Sequence, residues 1–240
     1  MNKMTLEVCA ACQVRSRTVC DVLDNCELSR MNAIRTEVTL DAQRTVFYQE
    51  DPANYLYNVT AGNVRVSKML ADGRRQVTGF LFPGDFLGLS LNRRYAYTAE
   101  AISAVTLCRF PREKLESLFA DITVLSQRML TIASNELVSA QDQMLLLGRK
   151  SAMEKVASFL LSLSDRAVAR NEPADPVQLP MARTDIADYL GLTVETVSRT
   201  LSQLVKSGVL TLSTATEVVV LDRDRLMDIA EANLPDTDYL

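Results

Sequence analysis

Apolar and polar positions change rhythm twice along the chain, and each rhythm belongs to a different kind of structure. Between about Leu28 and Phe110 the apolar residues come in short β-branched or aromatic runs, broken by turn signals at Gly62, Gly73, Gly79, Gly84 and Gly88. Such runs predict antiparallel strands that close into a roll or barrel. From FPREKLESL to about Leu147 proline and glycine all but vanish, and Leu130, Ala133, Leu137, Ala140, Met144 and Leu147 recur at heptad-like spacing. This predicts a long helix with an apolar seam. A second stripe, Leu125, Met129 and Ile132, falls on another face. One face can pack on the helix's own β-domain and the other can pair with a second copy, so the six seam residues are candidate homodimer contacts, with a single long core helix as the plainer reading.

Past Gly148 a further helix, SAMEKVASFLLSLSDRAVAR, leads through a loop carrying Pro173, Pro176 and Pro180 into RTDIADYLGLTVETVSRTLSQL. Here Ala187, Gly191 and Val197 stand where a helix-turn-helix needs a small residue, a turn residue and an apolar interlock. The second helix is predicted over Val194 to Lys206, with Val197, Leu201 and Leu204 inward and Glu195, Ser198 and Arg199 outward. Two ordinary helices joined by a glycine are the alternative. SGVLTLSTATEVVVLD reads as a β-hairpin, which would make the unit a winged helix-turn-helix.

Composition sharpens this picture at three points. The 240 residues are 48% hydrophobic and 23% charged, with neither a membrane-length apolar run nor a secretory signal, so a soluble cytoplasmic chain of one or two domains with no membrane partner is expected. The net charge is -4, yet Arg149, Lys150, Lys155, Arg166 and Arg170 outnumber Glu154 and Asp165 between Gly148 and Arg170, a basic shoulder suited to phosphate. There is no histidine, no phosphate-loop motif and no G-x-S-x-G elbow, so no enzyme is expected.

Five cysteines remain: Cys9, Cys12 and Cys20 in a C-x2-C-x7-C array, then Cys26 and Cys108. In a reducing compartment such an array points to metal or redox chemistry rather than a disulfide staple. Spacing alone leaves the fourth partner open. Cys26 could complete a four-thiolate zinc site, with Cys108 an ordinary buried thiol.

A β-roll, a long helix and a winged helix-turn-helix containing LGLTVETVSRTL together resemble the CRP/FNR transcription regulators over nearly the whole chain. GLTVETVSR and the N-terminal cysteines are similar to the FNR branch. The resemblance implies an α+β architecture: a cysteine-rich segment (1–27), an antiparallel β-roll sensor of cyclic-nucleotide-binding type (28–111), a dimerisation helix (112–147) and a winged helix-turn-helix DNA-binding domain (148–240). It further implies a [4Fe-4S] cluster on Cys9, Cys12, Cys20 and Cys108, and oxygen-responsive binding of the homodimer to double-stranded DNA at an inverted repeat like TTGAT-N4-ATCAA. Glu195, Ser198 and Arg199 would read the bases, and the exposed turn around Gly84 and Asp85 would meet RNA polymerase.

Three departures stand beside that resemblance. The third cysteine follows the second by seven residues where the best-known members have five, Cys26 is surplus, and Ala140 sits at a seam position that is acidic in the best-known oxygen-sensing relatives. The alternative is a clusterless regulator controlled by thiol redox, zinc or a small effector such as a cyclic nucleotide. GDFLGLSLNRRYAYTAEA lacks the arginine followed by serine or threonine that would neutralise a cyclic phosphate, which makes the nucleotide the weaker effector.

Overall fold

Strands do form where short apolar runs alternate. The computed structural model describes residues 9–90 and 93–231. The first eight residues of the expected cysteine segment and the last nine of the expected DNA-binding domain lie outside the described residues. The chain divides into two compact units at Val138.

The first unit opens with a single 3-10 turn (Arg15–Arg17) and helix α1 (Asn25–Ile34), not with the strand expected from Leu28. A capping box starts this helix: the Asp24 carboxylate accepts from the Glu27 amide at 2.8 Å and Glu27 accepts from the Asp24 amide at 3.0 Å. Eight strands follow: β1 (Thr36–Leu40), β2 (Thr45–Phe47), β3 (Tyr55–Ala61), β4 (Val64–Met69), β5 (Arg75–Leu81), β6 (Phe86–Leu87), β7 (Thr98–Ala101) and β8 (Val105–Pro111). They pair as two four-stranded antiparallel sheets, β1-β8-β3-β6 and β2-β7-β4-β5. Aromatic rings fill the space between them, with Phe47 stacked on Tyr95 at 3.6 Å between centroids and close to Tyr57 and Tyr97. The Tyr95 hydroxyl donates to the Tyr55 carbonyl, and the Gly88 amide donates to the Tyr97 hydroxyl.

Alternation along β3 and β8 gives the first unit a second core. Tyr57, Val59, Val105 and Leu107 face the roll interior, whereas Leu56 and Phe110 point outward into a cluster with Val19, Leu23, Leu28 and Met31. Helix α2 (Arg112–Asp121) supplies Leu115 and Leu118 to this cluster, and α3 (Thr123–Arg149) supplies Leu125, with Met129 and Ile132 packed against it. The second stripe of the long helix therefore covers its own β-domain, as its position predicts. The predicted single helix is two, broken at Ile122, whose own side chain is buried in the cluster.

The second unit contains α4 (Ala152–Ala169), β9 (Val177–Gln178), α5 (Arg183–Leu190), α6 (Val194–Lys206), the hairpin β10 (Leu210–Thr214) and β11 (Glu217–Val220), and α7 (Arg223–Ala230). The hairpin gains β9 from the proline-bearing loop as a third strand, in the order β10-β11-β9. Of the expected basic shoulder between Gly148 and Arg170, Arg149 is exposed and three others are engaged or buried. Lys155 is buried, Lys150 donates to the Ser158 hydroxyl and the Ala230 carbonyl, and Arg170 pairs with Glu172. Among the described residues no helix is long and apolar enough to cross a membrane.

Candidate functional site

Two sites stand out, one in each unit. In the second, Gly191 caps α5 in the left-handed conformation (φ 62°) and turns the chain into α6, whose Thr193 side chain accepts from the Thr196 amide at 3.1 Å. Val197, Leu201 and Leu204 are buried beneath α6. Glu195, Ser198 and Arg199 share its exposed face, as the sequence predicts. Hydrogen bonds from its own amide and from Thr193, with the charge of Arg199 beyond, hold the Glu195 carboxyl below the usual carboxylate range. This ordered, charged face at a helix start suits insertion into a major groove. Arg183, at the first position of α5, escaped the sequence reading. Its Nη2 donates to the Ala215 carbonyl at the hairpin tip, and its buried Nη1 has no hydrogen-bond partner.

A β-carbon on Gly191 would lie 3.2 Å from Cδ2 of Leu147, which is half-buried here and so less open to a partner than the rest of the seam. Gly191→Val therefore combines left-handed strain with crowding. It is expected to destabilise the second unit by roughly 1 to 3 kcal/mol, read as a lower midpoint in thermal unfolding.

On α3, Leu130, Ala133, Leu137, Ala140 and Met144 are all exposed, Leu130 at 69% and Met144 at 70%. Together they form an exposed apolar stripe of a size that suits a contact surface.

The first unit brings four of the five cysteines together. Cys108 lies on the outward face of β8, directly opposite Asn58 on β3, and both side chains line a small cavity. Cys9, Cys12 and Cys20 close it from the N-terminal segment, with Arg15 and Arg35 among the remaining walls. That segment is held down by buried Val14, Val19 and Leu23 and by Arg15, whose guanidinium donates to the Leu23 carbonyl at 2.8 Å. It also crosses the turn at Gly84, where a β-carbon would meet Arg17 at 2.9 Å. Gly84 is thus buried, and the exposed polymerase-facing turn expected around Gly84 and Asp85 is corrected.

All five cysteines are free thiols. Burial pushes Cys20 up to about 12 and raises Cys9 and Cys108, although the Arg35 guanidinium opposes the rise at both. The Cys9 thiol donates to Asn32 Oδ1 at 3.1 Å, and Cys108 Sγ accepts from Arg35 Nη1 at 3.6 Å.

The [4Fe-4S] cluster expected on these residues is corrected. Among the described residues no group of three or more cysteine, aspartate or glutamate side chains is disposed to hold a metal ion. The cavity offers about 20 Å³, a volume on the scale of one water molecule. Two of the four sulfurs are engaged with Asn32 and Arg35. The same finding removes zinc, and Cys26 is exposed on α1 and lines no part of the cavity.

Comparison with known proteins accounts for both units. Residues 154–229 match the family model of the Crp-like helix-turn-helix domain, and residues 37–121 match that of the cyclic nucleotide-binding domain. The chain is 46% identical over 200 residues to the nitrogen fixation regulation protein FixK of Bradyrhizobium diazoefficiens, covering 83% of this chain and 84% of that protein. It is 37% identical to the transcriptional activator protein FnrL of Cereibacter sphaeroides, covering 94% and 92% respectively. Among solved structures, FixK2 from Bradyrhizobium japonicum superposes with a TM-score of 0.77 at 41% identity, over 82% of this chain and 97% of that one.

Proposed function

The chain belongs to the CRP/FNR family of DNA-binding transcription regulators, and from that premise we propose a clusterless activator that reads an inverted repeat as a dimer and answers to the oxidation state of its thiols. The observation that carries the DNA reading is the shared exposed face of Glu195, Ser198 and Arg199 above the buried Val197, Leu201 and Leu204. Arginine can donate two hydrogen bonds to guanine O6 and N7, and glutamate can accept from the cytosine amino group. A TTGAT-N4-ATCAA repeat offers both, once in each half-site. The exposed stripe on α3 supports pairing of two copies, which sets two α6 helices on one two-fold axis. As an activator the dimer would then recruit RNA polymerase.

Thiol control is supported by the convergence of Cys9, Cys12, Cys20 and Cys108 on one cavity beside Arg35. Cytoplasmic reductants keep such thiols free, so their oxidation carries information. Oxygen or its reduction products are the natural source of that oxidation.

Arg199→Ala is expected to cost roughly 1 to 3 kcal/mol per half-site and to relax the choice at the guanine. Fluorescence anisotropy on the TTGAT-N4-ATCAA duplex, on a guanine-substituted duplex and on random DNA checks it. Equal weakening on all three would make Arg199 a phosphate contact and remove the base-reading assignment.

A further inference from the structure

The wall of the thiol cavity carries a group that nothing among the described residues satisfies. Asn58 is 2% exposed, its Oδ1 has no hydrogen-bond partner, and it lines the cavity. A buried carbonyl without a donor bears its full desolvation cost, so a cavity lined by one selects a molecule that brings a hydrogen-bond donor. Size narrows the choice further. One water needs about 10 to 15 Å³, and this cavity offers about 20 Å³, room for a molecule of two oxygen atoms. Dioxygen and nitric oxide are small enough but have no hydrogen to donate.

A thiol and a cation stand beside that acceptor. Cys108 stands directly opposite Asn58 in the β3-β8 register, so the two side chains leave the same face of the sheet as neighbours. Burial raises the Cys108 thiol above its ordinary value, and Arg35 Nη1, 3.6 Å from Cys108 Sγ, opposes that rise by favouring the thiolate. Of the other cavity thiols, Cys9 is engaged with Asn32 and Cys20 has its backbone amide tied to the Thr18 hydroxyl in the most buried position. Cys12 is half-exposed, lines the same cavity and lies close enough to Cys108 for the two to interact electrostatically.

We propose that this cavity is a peroxide site, in which Asn58 holds hydrogen peroxide, Cys108 reduces it and Cys12 closes a disulfide. One peroxide O–H donates to Asn58 Oδ1, which leaves the other oxygen facing Cys108. The Cys108 thiolate attacks that oxygen. An S–O bond forms, the O–O bond breaks, sulfur is oxidised to a sulfenic acid and hydroxide leaves, taking up a proton to become water. The Cys12 thiol then attacks the sulfenic sulfur, an S–S bond forms, the S–O bond breaks and a second water departs. In sum, two thiols and one hydrogen peroxide become one disulfide and two waters.

This assignment rests on the reading of the chain as a thiol-controlled regulator, and its test separates the two. Reduced full-length protein is treated with one equivalent of hydrogen peroxide. The expected product is a Cys12–Cys108 disulfide, identified by peptide mass mapping. In Cys12→Ser the intermediate should persist and be trapped by dimedone at Cys108, and Cys108→Ser should leave the added peroxide unconsumed. Asn58→Leu keeps the side-chain size without the acceptor and should slow consumption by roughly five- to tenfold, the loss expected for one hydrogen bond. Asn58→Ser carries the same expectation should the leucine variant fail to fold. If Cys108→Ser consumes peroxide at the wild-type rate, or the disulfide joins other cysteines, the site is overturned. If both Asn58 variants react as fast as wild type, Asn58 holds only a resident water and its role is overturned. DNA affinity is measured on the same samples. A disulfide that leaves affinity unchanged refutes thiol control while the peroxide site stands, whereas peroxide-sensitive affinity in Cys108→Ser refutes the site while thiol control stands.

Discussion

Replacing Ala140 by aspartate is expected to turn the proposed dimer into a monomer at micromolar concentration and to abolish tight binding to the full inverted repeat. Ala140 lies on the exposed stripe of α3 with Leu130, Ala133, Leu137 and Met144. In a two-fold arrangement each residue at the centre of a seam faces its own copy. Two carboxylates about 5 Å apart repel by roughly 3 kcal/mol at the effective dielectric of a half-buried site, which is about a hundredfold in the dissociation constant. Alanine imposes no such repulsion, so the wild type should stay dimeric whether its thiols are reduced or oxidised. Light scattering on both proteins under both conditions checks this. Raising the salt should partly restore pairing of the variant. A monomeric wild type would show that the stripe does not support a dimer on its own.

The second large effect is expected in the core that carries the thiol cavity. Phe110 is 1% exposed, points outward from β8 into the cluster of α1, α2 and α3, and lines the cavity. Phe110→Ala should cost about 3 to 5 kcal/mol, because the transfer and cavity costs add and the sheet cannot collapse into the gap. Set against total stabilities of about 5 to 15 kcal/mol, this loss approaches the limit of what the first unit can bear. Thermal unfolding followed by circular dichroism should show a fall in midpoint of roughly 10 to 20 °C. Leu130→Ala, on the exposed stripe, provides the contrast: in a monomer it should change stability by no more than about 0.5 kcal/mol. A small effect at Phe110 would mean that the outer cluster is not a cooperative core.

Much of this was legible in the chain because the periodicities are strong. Gly191 between two apolar patterns, with Val197, Leu201 and Leu204 at helical spacing, defines α5 and α6 without ambiguity, and the two stripes on α3 separate cleanly. The same legibility placed Cys108 on a strand and the other cysteines near the start. Helix α1 was missed because ELSRMNAI has a weak amphipathic pattern, although DNCE just before it carries the Asp24 and Glu27 capping signal. The basic shoulder was legible only in part, for a different reason. Counting charges says nothing of which lysines have partners, and Lys150 and Lys155 are turned to internal use. The cluster expectation failed likewise. Spacing can bring thiols into one neighbourhood, but it does not report that Arg35 and Asn32 engage two of the sulfurs or that so little volume lies among them.

The alternation along β3 and β8 has a consequence for which positions can change. Tyr57, Val59, Val105 and Leu107 belong to a solid aromatic and aliphatic interior, while Asn58 and Cys108, one residue away, belong to the outer cavity. Successive positions on the same strand thus meet different surroundings. The outward positions can be substituted without disturbing the inward ones that keep the barrel folded.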